Sequence, residues 1–380
     1  MNRTLLPTGT TARESEWRRG LAALTIAYLA FETGTGFLIY FLPFSVGNQW
    51  SVIIHTAIGL AVLAPALVYQ IRHLRVYWDR PMSALKAMGY LSSAATLVAL
   101  VSGAILTWQA LLGTRISYVW DMVHLVSTFA LVAFVMPHVL VILIRDRAVS
   151  RRAESPGLLA AQRSAMLRAV CWVAAFCALI GIAWAVYPGD RMNHEFPADY
   201  SFKYGKDRPF TPSLAKTSTG GPYDARLLSG SESCGTSGCH EEIAAEWAVS
   251  AHRWAAMDTG FQRIQTEMAK QNGAESTRYC GGCHDPISLF AGTKNIFSEN
   301  LTDLAGYKEG VACLVCHSVR KTDVEGNANY IVGAPQRYLF EMSEGTGARL
   351  ARDRLIRSYP RQHVADLSKR LFKTPEYCAA

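Results

Sequence analysis

The chain changes character near its middle. Between residues 19 and 187 apolar residues run in long stretches; from 188 onward the chain reads as ordinary soluble protein, rich in Gly, Ser, Asp and Arg. Five stretches of the first half, 19–44, 51–72, 86–112, 118–144 and 167–187, are long enough to cross hydrocarbon of roughly 30 Å as helices. The first is too long for a secretory leader and lacks a small-residue cleavage site, which predicts a retained helix. The pattern predicts an all-α chain. An up-and-down membrane bundle at 19–187 follows an N-terminal segment, 1–18. A linker rich in Pro, Gly, Asp, Lys and Ser, 188–230, is expected to be extended. A unit of helix and coil, 231–380, completes the chain, with porphyrins expected to fill its small core.

Charge orients the bundle. The net charge of +8 lies wholly in 1–187, where 15 Lys and Arg stand against 7 Asp and Glu; 188–380 holds 23 of each. A basic face on the soluble part, as nucleic acid would require, is therefore not expected. The basic residues fall in three places: Arg3, Arg13, Arg18 and Arg19 before the first span, Arg72, Arg75, Arg80 and Lys86 around the second loop, and Arg145, Arg147, Arg151, Arg152, Arg163 and Arg168 around the fourth. The other two loops carry only Arg115. Cationic loops stay in the cytoplasm. The expectation is a multi-pass protein of the inner membrane, its N-terminus cytoplasmic and its C-terminal half periplasmic.

The nine cysteines carry the clearest chemistry. Cys171 and Cys177 lie in the fifth span and read as small packing residues. Cys280-Gly-Gly-Cys283-His284 and Cys313-Leu-Val-Cys316-His317 are both Cys-x-x-Cys-His, the attachment signature of haem c. Two thiols add to the porphyrin vinyl groups, and the following imidazole ligates the iron from the same loop. Cys234-Gly-Thr-Ser-Gly-Cys239-His240 is the same device with a longer loop. A disulfide set or a zinc ribbon would not require His after every pair. Cys378-Ala-Ala begins a fourth motif that breaks off at Ala380, so the natural chain is expected to continue.

An electron-carrying haem wants a second axial ligand, His or Met. His252, His363 and His194 are the remaining imidazoles outside the membrane half, with Met192, Met257, Met268 and Met342 as competitors. Residues 210–378 resemble the multihaem cytochromes c that group with tetrahaem cytochrome c and the hydroxylamine-oxidoreductase-like proteins. The likeness rests on Phe210-Thr-Pro-Ser213, Ser233 to His240, Trp247 to His252, Glu309 to His317 and Phe372 to Ala380. It implies that His240, His284 and His317 are proximal ligands, and that the His after the Trp (His252) and the His upstream of the last motif (His363) are distal ones.

Four histidines lie inside spans: His55 and His73 in the second, His124 and His138 in the fourth. A separation of 18 residues returns to the same helix face, and 14 lags it by about 40°. Each helix thus presents two His on one face at matching depths, as two stacked b haems about 20 Å apart would need. Gly34, Gly36, Gly59 and Gly103 would let a porphyrin approach the backbone. The region resembles the dihaem cytochrome b subunits of respiratory dehydrogenases, on Phe37 to Phe41, His55 to Leu60 and Trp120 to His124. Pro137 predicts a kink beside His138. Glu32, charged and within the first span, is a candidate proton acceptor at a quinone site, or a partner of Thr33 or Thr35.

These readings combine into membrane-bound respiratory electron transfer. Quinol from the membrane pool is oxidised at two b haems, and electrons leave through three c haems to a periplasmic redox partner. The alternative is a periplasmic reductase or oxidase of small nitrogen or sulfur compounds, for which a c haem lacking its distal ligand would be the mark. A third reading is transmembrane transfer without quinone. No nucleotide-binding or hydrolase motif is present.

Overall fold

A computed structural model describes residues 9–151 and 156–379. Arg3, Arg152 and Ala380 lie outside the described residues. The fold is all-α with a little strand, and the chain divides into two compact units: Met1–Gly189 with Asp353–Ser358, and Asp190–Arg352 with Tyr359–Ala380.

The first unit opens with α1 (Gly9–Arg18). Five long apolar helices follow: α2 (Gly20–Phe41), α3 (Val46–Tyr77), α4 (Ala84–Leu112), α5 (Tyr118–Arg151) and α6 (Pro156–Val186). All five are long and apolar enough to cross a membrane. Ser45 and Ser83 start α3 and α4, their hydroxyls accepting from Asn48 N and Lys86 N. Such caps satisfy donors that the first helical turn leaves open. Several helices overrun their apolar stretches because hydropathy marks the hydrocarbon, whereas backbone hydrogen bonding carries on into polar sequence. The helix α5 is continuous through Pro137. Packing pairs α2 with α3 and α6, and α4 with α5. Tyr28, Phe31, Val62, Ala66 and Phe176 form one core cluster. Val126, Met136 and Val170 point outward with more than half their surface exposed, as lipid-facing side chains do. Cys171 and Cys177 are also exposed, so they sit on the outer face of α6 and not in its packing.

The basic end of this unit is knit together. Arg13 and Trp17 of α1 both bond to the buried Asp146 of α5, at 2.9 and 3.0 Å. Arg168 of α6 donates to the Trp17 carbonyl. The first and third basic regions therefore converge on one end of the bundle.

The second unit contains short helices: α7 (Glu241–Ala248), α8 (Ala251–Trp254), α9 (Thr259–Asn272), α10 (Arg278–His284), α11 (Pro286–Ala291), α12 (Ala305–Glu309), α13 (Cys313–Ser318), α15 (Pro360–Leu367) and α16 (Pro375–Ala379). The helix α14 (Thr346–Ser358) runs from it into the segment counted with the first unit. Three short strands, β1 (Lys216–Thr217), β2 (Val319–Thr322) and β3 (Tyr330–Val332), make one sheet in the order β1-β3-β2. The strand β1 runs parallel to β3 and β2 antiparallel to it, with a register shift between Val319 and Lys321.

One expectation changes here. Phe210, Ala215, Tyr223, Leu227 and Leu228 are buried with Ile287, Phe290, Val315 and Val332. Much of the stretch expected as an extended linker is thus core, its few large apolar residues reaching partners a hundred positions away.

Candidate functional site

In the bundle, His55 of α3 faces His124 of α5 with ring centres 6.4 Å apart and ring planes at 87°. His73 faces His138 in the same way, at 6.5 Å and 84°. Every predicted pair is therefore brought together. The Nδ1 atoms of the α5 histidines are tied back to α4: His124 to the Ala99 carbonyl at 3.1 Å, His138 to the Leu85 carbonyl at 3.2 Å. The bond to a carbonyl makes Nδ1 the protonated nitrogen and leaves the Nε2 lone pair free.

The α3 histidines face carboxylates instead. His55 Nδ1 lies 3.0 Å from Glu32 Oε2 and 2.9 Å from Thr35 Oγ1. His73 Nδ1 lies 3.8 Å from Glu16 Oε2, and Glu16 pairs with Arg19 at 2.5 Å. Glu32 thus meets His55; its link to Thr35 is only through its own backbone carbonyl. A cavity of about 240 Å³ opens between the helices, walled by His55, His124, Glu32, Gly36 and Gly103.

Glycine gives the imidazoles room. A Cβ built at Gly103 would stand 3.1 Å from His124 Cε1, and one at Gly89 would stand 3.1 Å from His138 Cε1. A Cβ at Gly36 would stand 3.8 Å from His55 Cε1, one at Gly59 would meet the Glu32 carboxylate, and one at Gly34 would meet nothing. Gly89 was not singled out in the sequence. Its signal was there: it precedes Gly103 by 14 residues, the interval that separates His124 from His138.

The second unit gathers the thiols and imidazoles of all three complete motifs. None of the nine cysteines forms a disulfide with another. Among the described residues no three His, Cys, Asp or Glu side chains converge as a metal cluster would require. The first motif loop is held by Glu309, whose carboxylate accepts from Gly230 N at 2.7 Å, Ser231 N at 3.0 Å and Ser231 Oγ at 2.8 Å. Ser231 Oγ in turn accepts from Cys313 N at 3.1 Å. The Cys234 and Cys313 thiols, from different motifs, share a hydrogen bond. That bond raises the pKa of Cys234 and lowers that of Cys313. Burial pushes the Cys280, Cys283 and Cys316 thiols up.

In the second motif, Gly282 packs so tightly that a Cβ there would stand 2.3 Å from the Ala328 Cβ. Tyr330 donates to the Gly282 carbonyl at 2.6 Å. In the third, Tyr377, beside Cys378, donates to the Cys316 carbonyl at 2.9 Å. The motif imidazoles are oriented as in the bundle: His284 Nδ1 bonds to the Ala255 carbonyl at 3.1 Å and His317 Nδ1 to that of Leu367 at 2.6 Å. Phe261 stacks on His284 at 3.9 Å.

Of the distal candidates, His363 lies opposite His240, with ring centres 6.3 Å apart and planes at 14°. Burial, and then the neighbouring His240, lower its pKa, which favours the neutral form that can ligate. His194 stands edge-on to Tyr223, and His252 is exposed, its carbonyl accepting from Val311 N. Among the described residues no second imidazole is paired with His284 or His317 as His363 is with His240.

Next to His284, Asp285 and Lys294 form a buried ion pair at 3.4 Å, their side chains 4% and 5% exposed. Asp285 also caps α11 by accepting from Ser288 N, and Lys294 donates to Gln265 at 2.6 Å. Removing one partner of such a pair strands the other charge, at a cost of about 3–5 kcal/mol. Lys294→Met should therefore lower the unfolding temperature of the second unit by roughly 10 °C, followed through its visible absorbance.

Residues 233–318 match the family Cytochrome c554 and c-prime. The matched stretch is less than a quarter of the chain and contains all three complete motifs. No curated protein and no solved structure matches the chain. The match supports a multihaem cytochrome c domain, with haem c as cofactor and electron transfer as its work; the five apolar helices support a membrane protein.

Proposed function

We propose that the chain is a membrane-bound electron carrier that takes electrons from quinol in the bilayer and delivers them to a redox partner in the periplasm. One observation carries this reading. Three pairs of imidazoles, His55 with His124, His73 with His138 and His240 with His363, stand with ring centres 6.3 to 6.5 Å apart. That is too far for a hydrogen bond between rings. With metal–imidazole bonds of about 2 Å, two rings on opposite sides of one iron have their centres about 6 Å apart.

On this reading His55, His124, His73 and His138 hold two b haems. Cys234 and Cys239, Cys280 and Cys283, and Cys313 and Cys316 hold three c haems. His240, His284 and His317 are their proximal ligands, with His363 distal to His240. Haem supplies one-electron chemistry at its iron, and the chain supplies ligands, burial and spacing. The Nδ1 bonds of His55, His124, His138, His284 and His317 fix those imidazoles with Nε2 free, as acceptors behind metal-ligating His generally do. The small residues at Gly89 and Gly103 keep space beside the rings. The gathering of basic residues at the α1 end of the bundle supports a cytoplasmic N-terminus and a periplasmic second unit.

A second reading, a periplasmic reductase or oxidase of small nitrogen or sulfur compounds, draws on His284 and His317, which among the described residues face no second imidazole as His240 does. Carbon monoxide binding by the reduced wild-type protein separates the two, since a carrier with every iron doubly ligated does not bind it.

Pyridine haemochrome spectra of the purified protein test the main proposal. Two non-covalent and three covalent haems per chain are expected. A protein with no extractable haem would overturn the membrane half.

A further inference from the structure

Glu32 is a charged residue within a membrane-crossing helix, and such a residue calls for a function. Its Oε2 is 3.0 Å from His55 Nδ1, while its Oε1 is buried with no hydrogen-bond partner. The Thr35 hydroxyl, 2.9 Å from the same nitrogen, lies 2.7 Å from the Phe31 carbonyl and donates to it, which leaves its oxygen to accept. Both neighbours of His55 Nδ1 are then acceptors, so that nitrogen is the donor and Nε2 is the free one. The other three bundle histidines differ. His124 and His138 bond to neutral carbonyls, and His73 is 3.8 Å from a glutamate already paired with Arg19. Only His55 has a carboxylate within hydrogen-bonding distance.

We propose that Glu32 is a positioning residue for the outer b haem: its carboxylate accepts the His55 Nδ1–H bond, fixes the ring, and makes His55 the most electron-rich of the four bundle ligands. This rests on the reading of His55 and His124 as a haem site. An ionised acceptor draws the imidazole toward imidazolate and raises its basicity as a ligand. A stronger donor favours ferric over ferrous iron, so the reduction potential of that one site falls. The proposal assigns Glu32 to the ligand and not to a quinone.

The test is a redox titration of the full-length protein, read at the absorbance of the non-covalent haems. Glu32→Gln keeps a hydrogen-bond acceptor but loses the charge. It should change the ratio of oxidised to reduced haem at fixed potential by about tenfold at one b haem, an upward shift of about 59 mV for one electron. The second b haem and the c haems should not move. Glu32→Asp keeps the charge but shortens the reach; it should shift the same haem in the same direction by less, and serves alone if Glu32→Gln does not retain haem. Unshifted potentials, or an equal shift of both b haems, would overturn the proposal. So would unshifted potentials with lost quinol oxidation, which would give Glu32 to the quinone instead. A wild-type protein without non-covalent haem would instead sink the haem b reading itself.

Discussion

If the bundle holds two b haems as proposed, purified His124→Ala protein is expected to hold one non-covalent haem in place of two, with its covalent haems intact. His124 is placed by contacts that do not depend on the second unit: Nδ1 bonds to the Ala99 carbonyl at 3.1 Å, Ser102 Oγ lies 3.1 Å from the same nitrogen, and Gly103 leaves room beside Cε1. Alanine leaves His55 facing an empty position 6.4 Å away. Loss of an outer-shell partner alone costs roughly 10–100-fold in metal affinity, and loss of the ligand itself should cost more. The bundle should still fold, because Tyr28, Phe31, Val62 and Phe176, on α2, α3 and α6, make a core that excludes His124. Function then divides. Dithionite should still reduce the three c haems fully, while their reduction by quinol should fall by more than about tenfold. The haemochrome count and stopped-flow reduction check the two halves separately. An unchanged count would remove His124 from the site.

Much of this arrangement was legible in the sequence, for identifiable reasons. Covalent haem attachment needs two thiols and an imidazole within one loop, so the motifs at Cys234, Cys280 and Cys313 are written in consecutive residues. The membrane pairs could be read because helices are long and regular: an interval of 18 or 14 residues fixes both face and depth. What depends on contacts distant in sequence could not be read. His363 was one of three candidates, and only the tertiary fold brings it to His240, 123 positions earlier. The clamp from Glu309 to Ser231 and the ion pair of Asp285 with Lys294 have no local signature. The stretch from Phe210 to Leu228 misled because its Pro, Gly and Ser content suits an extended chain, whereas burial of a few large apolar residues decides where it lies. Glu32 was recognised as costly in a membrane, but its partner lies on another helix, 23 residues on.

The His240–His363 pair makes the sharpest test in the second unit, because there attachment and ligation are separable. On the proposed attachment, thioethers to Cys234 and Cys239 would remain in His363→Ala, so the covalent haem count should equal that of the wild type. The ring opposite His240, now 6.3 Å away and nearly parallel, would be gone. One iron should pass from six-coordinate low-spin to an open, high-spin state, visible in the absorbance of the oxidised protein and as carbon monoxide binding to one more haem than in the wild type. His363→Met should restore a sixth ligand and a low-spin spectrum, with that haem at a higher potential, since Met in place of His favours the ferrous state. Electron transfer through the second unit should slow in the alanine variant, because a change of ligation accompanies each turnover, and recover in the methionine one. If His363→Ala leaves the spectrum low-spin, another side chain ligates that iron, and the 6.3 Å spacing does not mark an axial pair. If the wild type already binds carbon monoxide there, the first motif belongs to the reductase reading, with His363 serving to shape an open site.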